Sequence, residues 1–291
     1  MKTDRTATAI RINSAEIIRT LIRQKLSEAE SDWMESHIWF ENNTQFFQTF
    51  GLVTRKISPI IPKWTLQETI LLEELYPGFT TANWDLQQLC RSLLMMHLPE
   101  HQNIETIKNL AEMADIKELV SLYKGLFFLK NAKEFILTIQ EGIRTNMVAV
   151  FDAIALGNPF AAKYLPVDAW NQLVLKALFM GRPLYQIIDL ELRKNEKLAL
   201  IIHDYIHERW SAGRLVSPEI WRLTAGFVNR EIADDLTKAI GTGELLTQVA
   251  AVKVLKESTF FKENEISEEV LSQSTATWDE IGTQYYSLLK I

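Results

Sequence analysis

The chain has 291 residues, a formal net charge of −6 and 47% hydrophobic residues. That hydrophobic fraction excludes a disordered chain, and no apolar stretch is long enough to span a bilayer. Because 31 basic residues face 37 acidic ones, general nucleic-acid binding, which needs a positive surplus, is also excluded. The single cysteine, Cys90, allows no intramolecular disulfide, and the N-terminal residues lack a signal-peptide core. We therefore expect a cytoplasmic protein in which Cys90 is a buried, unreactive thiol.

Apolar residues recur at the three- and four-residue spacing of helices along most of the chain. The clearest helix covers Leu198 to Trp210, with Asn195 as its predicted N-cap and Gly213 as its predicted stop. The other predicted helices, in chain order, are Glu16–Glu28, Trp33–Thr49, Leu66–Tyr76, Trp84–His97, Ile104–Met113, Lys117–Leu129, Ala132–Gln140, Thr145–Leu156, Val167–Met180, Pro218–Phe227, Glu231–Ile240, Leu245–Lys256 and Glu268–Leu289.

Helices joined by short loops predict an all-α protein, with one domain over residues 1–291. The pair Asn229–Ile240 and Glu244–Lys256 resembles a HEAT-type helical hairpin. An irregular array of stacked hairpins with solenoid character is therefore predicted, and a single helical bundle is the alternative. Residues 1–12 are expected to be a flexible N-terminus. Residues 257–291, with two basic and seven acidic residues, are expected to be an acidic helical segment.

Two helices that we expect to be buried each carry isolated charges. The stretch Met147–Leu156 is apolar except for Asp152, and Val167–Met180 includes Lys176 among large apolar residues. A buried charge must be paired or neutralised, because its isolated burial is costly. We therefore expect a polar network between central helices, which is either a structural ion-pair cluster or the lining of a pocket for a small polar or anionic ligand. Its expected members are Arg144, Asp152, Lys176 and Arg209.

Motifs for nucleotide binding, zinc proteolysis or serine hydrolysis do not occur in the sequence. His203 and His207 have a spacing that can hold one metal ion on a helix, but the sequence indicates no third ligand. Both lie opposite the apolar face, so a solvated face is favoured, and no metal or cofactor is predicted. If the protein is an enzyme, His207 beside Glu208 is the candidate general base, and Arg144 and Lys176 would hold an anionic substrate.

The segment between Trp33 and Phe50 is rich in aromatic residues. Several of them recur at helical spacing, which favours packing in the core. Basic residues lie just upstream, at Arg19, Arg23 and Lys25, so peripheral contact with a membrane surface is the alternative.

Five close-set segments carry a family resemblance. They are Glu141–Met147 (EGIRTNM), Gly157–Phe160 (GNPF), Trp170–Phe179 (WNQLVLKALF), Asp204–Trp210 (DYIHERW) and Ser217–Arg222 (SPEIWR). They resemble EGIRTNM, RNPYP, WNQMVLKALF, DYAHERW and NPELWR of the EboA domain family. The resemblance covers roughly residues 40–225.

This resemblance implies a place in bacterial secondary-metabolite clusters. Such clusters include a prenyltransferase-like membrane protein and enzyme-like proteins, which would be partners of this chain. The positions that match the family motifs include Arg144, Asn146, Asn158, Asn171, Lys176 and Arg209, and with Asp152 these are the candidate ligand-binding residues. Gly157, Phe160 and His203 depart from the family pattern. The leading hypothesis is a non-enzymatic helical scaffold or adaptor with a polar pocket for a ligand.

Overall fold

The computed structural model describes residues 14–289. Within this range all regular structure is helical and no residue lies in a strand, so the predicted all-α fold is confirmed. Among the same residues, no helix combines the length and the apolar composition needed to cross a lipid bilayer.

The α-helices are numbered here in chain order. They are α1 (14–23), α2 (Glu28–His37), α3 (Asn43–Lys56), α4 (Leu66–Glu73), α5 (Leu86–Met96), α6 (Glu100–Met113), α7 (Ile116–Gly125), α8 (Ile136–Arg144), α9 (Val148–Ala155), α10 (Pro159–Tyr164), α11 (Val167–Phe179), α12 (Leu190–Arg193), α13 (Glu196–Ser211), α14 (Arg230–Thr242), α15 (Leu245–Lys256), α16 (Glu268–Gln273) and α17 (Trp278–Leu288). Short 3₁₀ helices cover Leu126–Phe128, Ala132–Phe135, Leu184–Gln186, Pro218–Leu223 and Glu263–Glu265.

Side-chain caps fix where many of these helices begin. At five starts the capping side chain accepts a hydrogen bond from the backbone N–H three residues later, and a Glu or Gln there accepts one in return. The five caps are Ser27, Thr65, Asp85, Asp115 and Thr277. Such caps act within a single turn, so they can start a new helix inside a long periodic stretch.

Side-chain caps divide two of the predicted helices. The predicted helix Trp33–Thr49 is in fact α2 and α3, because the side chain of Asn42 caps the second of them. The predicted helix Glu268–Leu289 is α16 and α17, because Thr277 caps the latter. In both cases apolar residues keep a helical spacing through a break in the backbone, so periodicity alone was misleading.

The chain divides into two compact units, and the boundary falls between Trp170 and Asn171, inside α11. The single-domain assignment stays a prediction, and residues 1–12, which were predicted to be a flexible N-terminus, lie outside the described range. In the first unit, α5 packs against α3 and α7, and α7 also packs against α9. Cys90 is fully buried in this unit, as predicted, and burial raises the pKa of its thiol.

In the second unit, α14 and α15 pack against each other, which confirms the predicted hairpin. Helix α14 continues to Thr242, two residues beyond the predicted end at Ile240. Helix α15 also packs against α16 and α17, around an apolar cluster formed by Val249, Val252, Val270 and Ile281. The solenoid character predicted for the whole chain stays a prediction.

Candidate functional site

The first unit contains a groove of about 450 Å³ beside the segment Glu141–Met147. Helices α6, α7 and α8 and the start of α9 form its walls. A volume of this size is typical of small-molecule sites. The lining residues are Lys108, Ala111, Glu112, Leu119, Tyr123, Leu137, Thr138, Glu141, Gly142, Thr145, Met147 and Val150.

Gly142 lets α8 pack closely against the side chains beside this groove. A Cβ atom at this position would lie 2.5 Å from Cδ1 of Ile154 and 2.6 Å from Cζ of Tyr123. Only glycine therefore lets α8 approach the Tyr123 ring this closely. Burial, and secondarily the nearby Glu141 carboxylate, raise the pKa of Tyr123, so its hydroxyl is neutral at physiological pH and can donate a hydrogen bond.

The rim of the groove combines apolar and charged side chains. Leu137 is 67% exposed and Met147 is 40% exposed, although both are large apolar residues. Lys108, Glu112 and Glu141 are also exposed. This arrangement suits a ligand with an apolar body and a polar end, because the apolar part can be removed from water while the polar part keeps hydrogen-bond partners.

The predicted ligand residues Arg144 and Asn146 flank Thr145, which lines this groove, and both are exposed. Asp152 is only half-buried in α9. The expectation that its whole helix is buried was wrong, because Val148 at the helix start is 47% exposed. A helix that reads as apolar on every side can still lack a covering element on one side.

The predicted ligand residues Asn158 and Asn171 are buried and make structural contacts. The Asn158 amide donates to the backbone carbonyls of Tyr123 and Ala153, and its Oδ1 accepts from the N–H of Phe160 at the start of α10. Asn171 and Asn195 exchange two hydrogen bonds through their side-chain amides, at 3.1 and 2.8 Å. A ligand contact by either residue stays a prediction.

The remaining members of the predicted polar network are in the second unit. Lys176 is half-buried in α11, where Phe179 is 66% exposed, so this helix is also less buried than expected. The Arg209 guanidinium donates to the carbonyl oxygen of Leu215, at 2.8 and 3.1 Å. Since Arg144 and Asp152 belong to the first unit, the network as a whole stays a prediction.

Among the described residues of the first unit, Arg91 and Lys124 are deeply buried cations, and neither was predicted to be buried. Arg91 is 1% exposed, and its guanidinium donates to the Phe50 carbonyl and to Oγ1 of Thr54. In the second unit, Glu219 is fully buried and accepts hydrogen bonds from two backbone N–H groups. Burial raises the pKa of Glu219 to about 7.

Helix α13 brings both histidines of the predicted pair to one carboxylate. The Nε2 atoms of His203 and His207 lie 3.2 and 2.8 Å from the same oxygen, Oδ2 of Asp235 in α14. Their face was predicted to be solvated, yet the side chain of His203 is only 20% exposed. The sequence did not indicate Asp235, because it lies 28 residues after His207 and on another helix.

The role of His207 as a general base beside Glu208 stays a prediction. Glu208 is exposed, and Arg209 is engaged with the backbone of Leu215. Nε2 of His207 lies 2.8 Å from Oδ2 of Asp235, and its ring makes a T-shaped contact with the Trp210 ring, with the centroids 5.7 Å apart.

A protein-family model described as metabolite traffic protein EboA matches residues 14–225 of the chain. The match covers most of the chain and includes all five motif segments and the groove. Asp235 and helices α14 to α17 lie beyond it. No curated protein and no solved structure matches the chain.

Proposed function

We propose a function from the premise that this chain belongs to the EboA family: it is a non-enzymatic helical scaffold or adaptor that binds a small ligand during metabolite traffic. The ligand occupies the groove beside Glu141–Met147. We place this role in a bacterial secondary-metabolite pathway of the cytoplasm, where other pathway proteins are the partners.

The observation that carries this proposal is the exposed apolar surface inside the groove. Leu137 and Met147 are both exposed to water, although each is large and apolar. Covering such surface with a ligand contributes about 25 cal/mol per Å². Lys108 and Glu141 in the same groove offer charged partners to the polar end of a ligand.

The alternative is an enzyme with His207 as general base, and the geometry supports it less. That reaction needs a substrate-holding cation beside the base. Arg209, the nearest cation along the helix, is held by the Leu215 carbonyl, and Glu208 faces solvent. Of the candidate residues, it is those near Thr145 that accompany a groove of ligand size.

A neutral apolar fluorophore, N-phenylnaphthylamine, tests whether the groove binds such molecules. We expect saturable binding with increased fluorescence in the unmodified chain. Leu137→Asp places a charge in the groove and removes an apolar contact of about 1.5–3 kcal/mol. The dissociation constant should therefore rise about tenfold or more.

The matched control is Leu192→Asp. Leu192 is 82% exposed and does not line the groove, so this variant should bind the fluorophore like the unmodified chain. Equal weakening in both variants, or no saturable binding in the unmodified chain, would contradict ligand binding in the groove.

A further inference from the structure

The geometry points to a divalent transition-metal site in the second unit, formed by His203, His207 and Asp235. The site and the groove share no residues, so this inference does not depend on the proposed ligand-binding function. Its chemical class follows from its donors, because two imidazoles with one carboxylate suit Zn²⁺, Fe²⁺, Co²⁺ and Ni²⁺.

The three donor atoms already have separations suited to a shared ion. Nε2 of His203 and of His207 lie 3.2 and 2.8 Å from Oδ2 of Asp235, and one ligand atom from each of the three residues lies within 4.8 Å of the other two. Bonds of about 2.0 Å in a tetrahedral zinc site place neighbouring donors about 3.3 Å apart. Small side-chain rotations would therefore admit the ion.

The site is closed on one side and open on the other. The Asp235 side chain is 10% exposed, whereas the His207 side chain is 53% exposed. Asp235 is followed in α14 by the fully buried Leu236, so the core holds the carboxylate in place. Three protein donors with an open side leave a position for water or an external ligand in the coordination shell.

A second carboxylate supports one of the imidazoles. Nδ1 of His203 lies 3.5 Å from Oδ1 of Asp204, so its two ring nitrogens face two different carboxylates. Metal-bound histidines commonly have a carboxylate at the ring nitrogen that does not bind the ion, which fixes the tautomer. The nearby Lys238 ammonium lies over the Trp210 ring, 4.0 Å from its centroid.

Calorimetric titration of the metal-stripped full chain with Zn²⁺ tests this site. We expect one ion per chain, with affinity reduced in His207→Ala and Asp235→Asn. The reduction should be at least the roughly 10–100-fold that loss of an outer partner costs, and Asp204→Asn should show a smaller one. The controls Asp234→Asn and His101→Ala change exposed groups of the same types and should bind Zn²⁺ normally.

Zn²⁺ should also raise the Tm of the unmodified chain and of both controls, but not that of His207→Ala. Because the His207 side chain is half-exposed, this variant should keep the fold, which circular dichroism without metal checks. A hydrogen-bonded cluster without an ion predicts no stoichiometric Zn²⁺ uptake, and that result overturns the proposal. Unchanged affinity in both His207→Ala and Asp235→Asn also overturns it.

Discussion

Because the ammonium group of Lys124 is buried, the free energy of unfolding of the protein should rise with pH in the alkaline range. The residue is 7% exposed, and its Nζ donates to the Ala82 carbonyl and to Oε1 of Gln88, both at 2.8 Å. The same atom lies 4.4 Å from the centroid of the Trp84 ring. These partners are uncharged, and burial lowers the pKa of Lys124 from 10.5 to about 8.

A lysine whose pKa is lowered in the folded state binds fewer protons folded than unfolded. The free energy of unfolding therefore rises with pH between about 8 and 10.5. Lowering a pKa by about 2.5, at about 1.36 kcal/mol per pH unit, corresponds to a cost of about 3 kcal/mol at neutral pH. Most of that cost is relieved by about pH 10, so the gain from about pH 8 to about pH 10 is about 2 kcal/mol. Lys124→Met cannot show this gain.

Urea unfolding of both proteins across that pH range measures the effect. The stability difference should move by about 2 kcal/mol in favour of the unmodified chain as the pH rises. Lys133→Met removes an exposed lysine and serves as the control, with no such trend. A difference between the unmodified chain and Lys124→Met that stays constant with pH would refute the reasoning, because Lys124 would then remain charged throughout.

Four further substitutions test packing, buried hydrogen bonds and capping. Gly142→Ala should lower the free energy of unfolding by about 1–3 kcal/mol because its Cβ overlaps two side chains. Gly51 lies inside α3, and a Cβ atom there would be 3.5 Å from its nearest neighbour, Oε1 of Glu118. Gly51→Ala should therefore stabilise the chain by roughly 0.5–1 kcal/mol, and urea midpoints compare the two variants. Asn158→Ala leaves two buried carbonyls without their donor and should cost about 1–3 kcal/mol in the same assay. Asp115→Ala removes the cap of α7 and should cost about 1 kcal/mol, measured by thermal melting.

Helix α13 shows what local sequence signals can predict. Asn195 was predicted to cap it, and its side chain accepts from the N–H of Leu198. Gly213 was predicted to stop it, and this residue has a φ of +63°, which few other residues adopt. Both signals act within one helical turn, so they need no information about the rest of the fold.

The positions of buried charges could not be predicted in this way. The sequence favoured Asp152 and Lys176, which are half-buried, while Arg91 is almost fully buried. The Arg91 guanidinium donates to the Phe50 carbonyl and to Oγ1 of Thr54, 41 and 37 residues earlier in the chain, and to Oγ of Ser121, 30 residues later. Which face of a helix is covered depends on such distant elements, and composition along the helix does not report them.

The candidate sites were also predictable only in their local parts, and their contacts with distant residues were not. The motif at Glu141–Met147 indicated the segment that borders the groove, but the apolar rim residue Leu137 lay outside the motif. The spacing of His203 and His207 allowed a shared metal ion, since residues four apart lie on one helix face, although a solvated face was favoured. Asp235 completed that group only when α14 was placed beside α13.

The reciprocal amide pair of Asn171 and Asn195 has a consequence for sequence change in this chain. A carboxamide offers a donor and an acceptor from one uncharged planar group, so each asparagine donates one hydrogen bond to the other and accepts one from it. Replacing either asparagine with aspartate brings a carboxylate oxygen against the amide oxygen of the other residue. Replacing it with leucine leaves the amide N–H and the amide oxygen of the other residue without these hydrogen bonds. The Asn195 side chain also caps the start of α13, the helix that carries both histidines. A single substitution at position 171 would therefore destabilise this helix start and disturb the positions of the His203 and His207 rings.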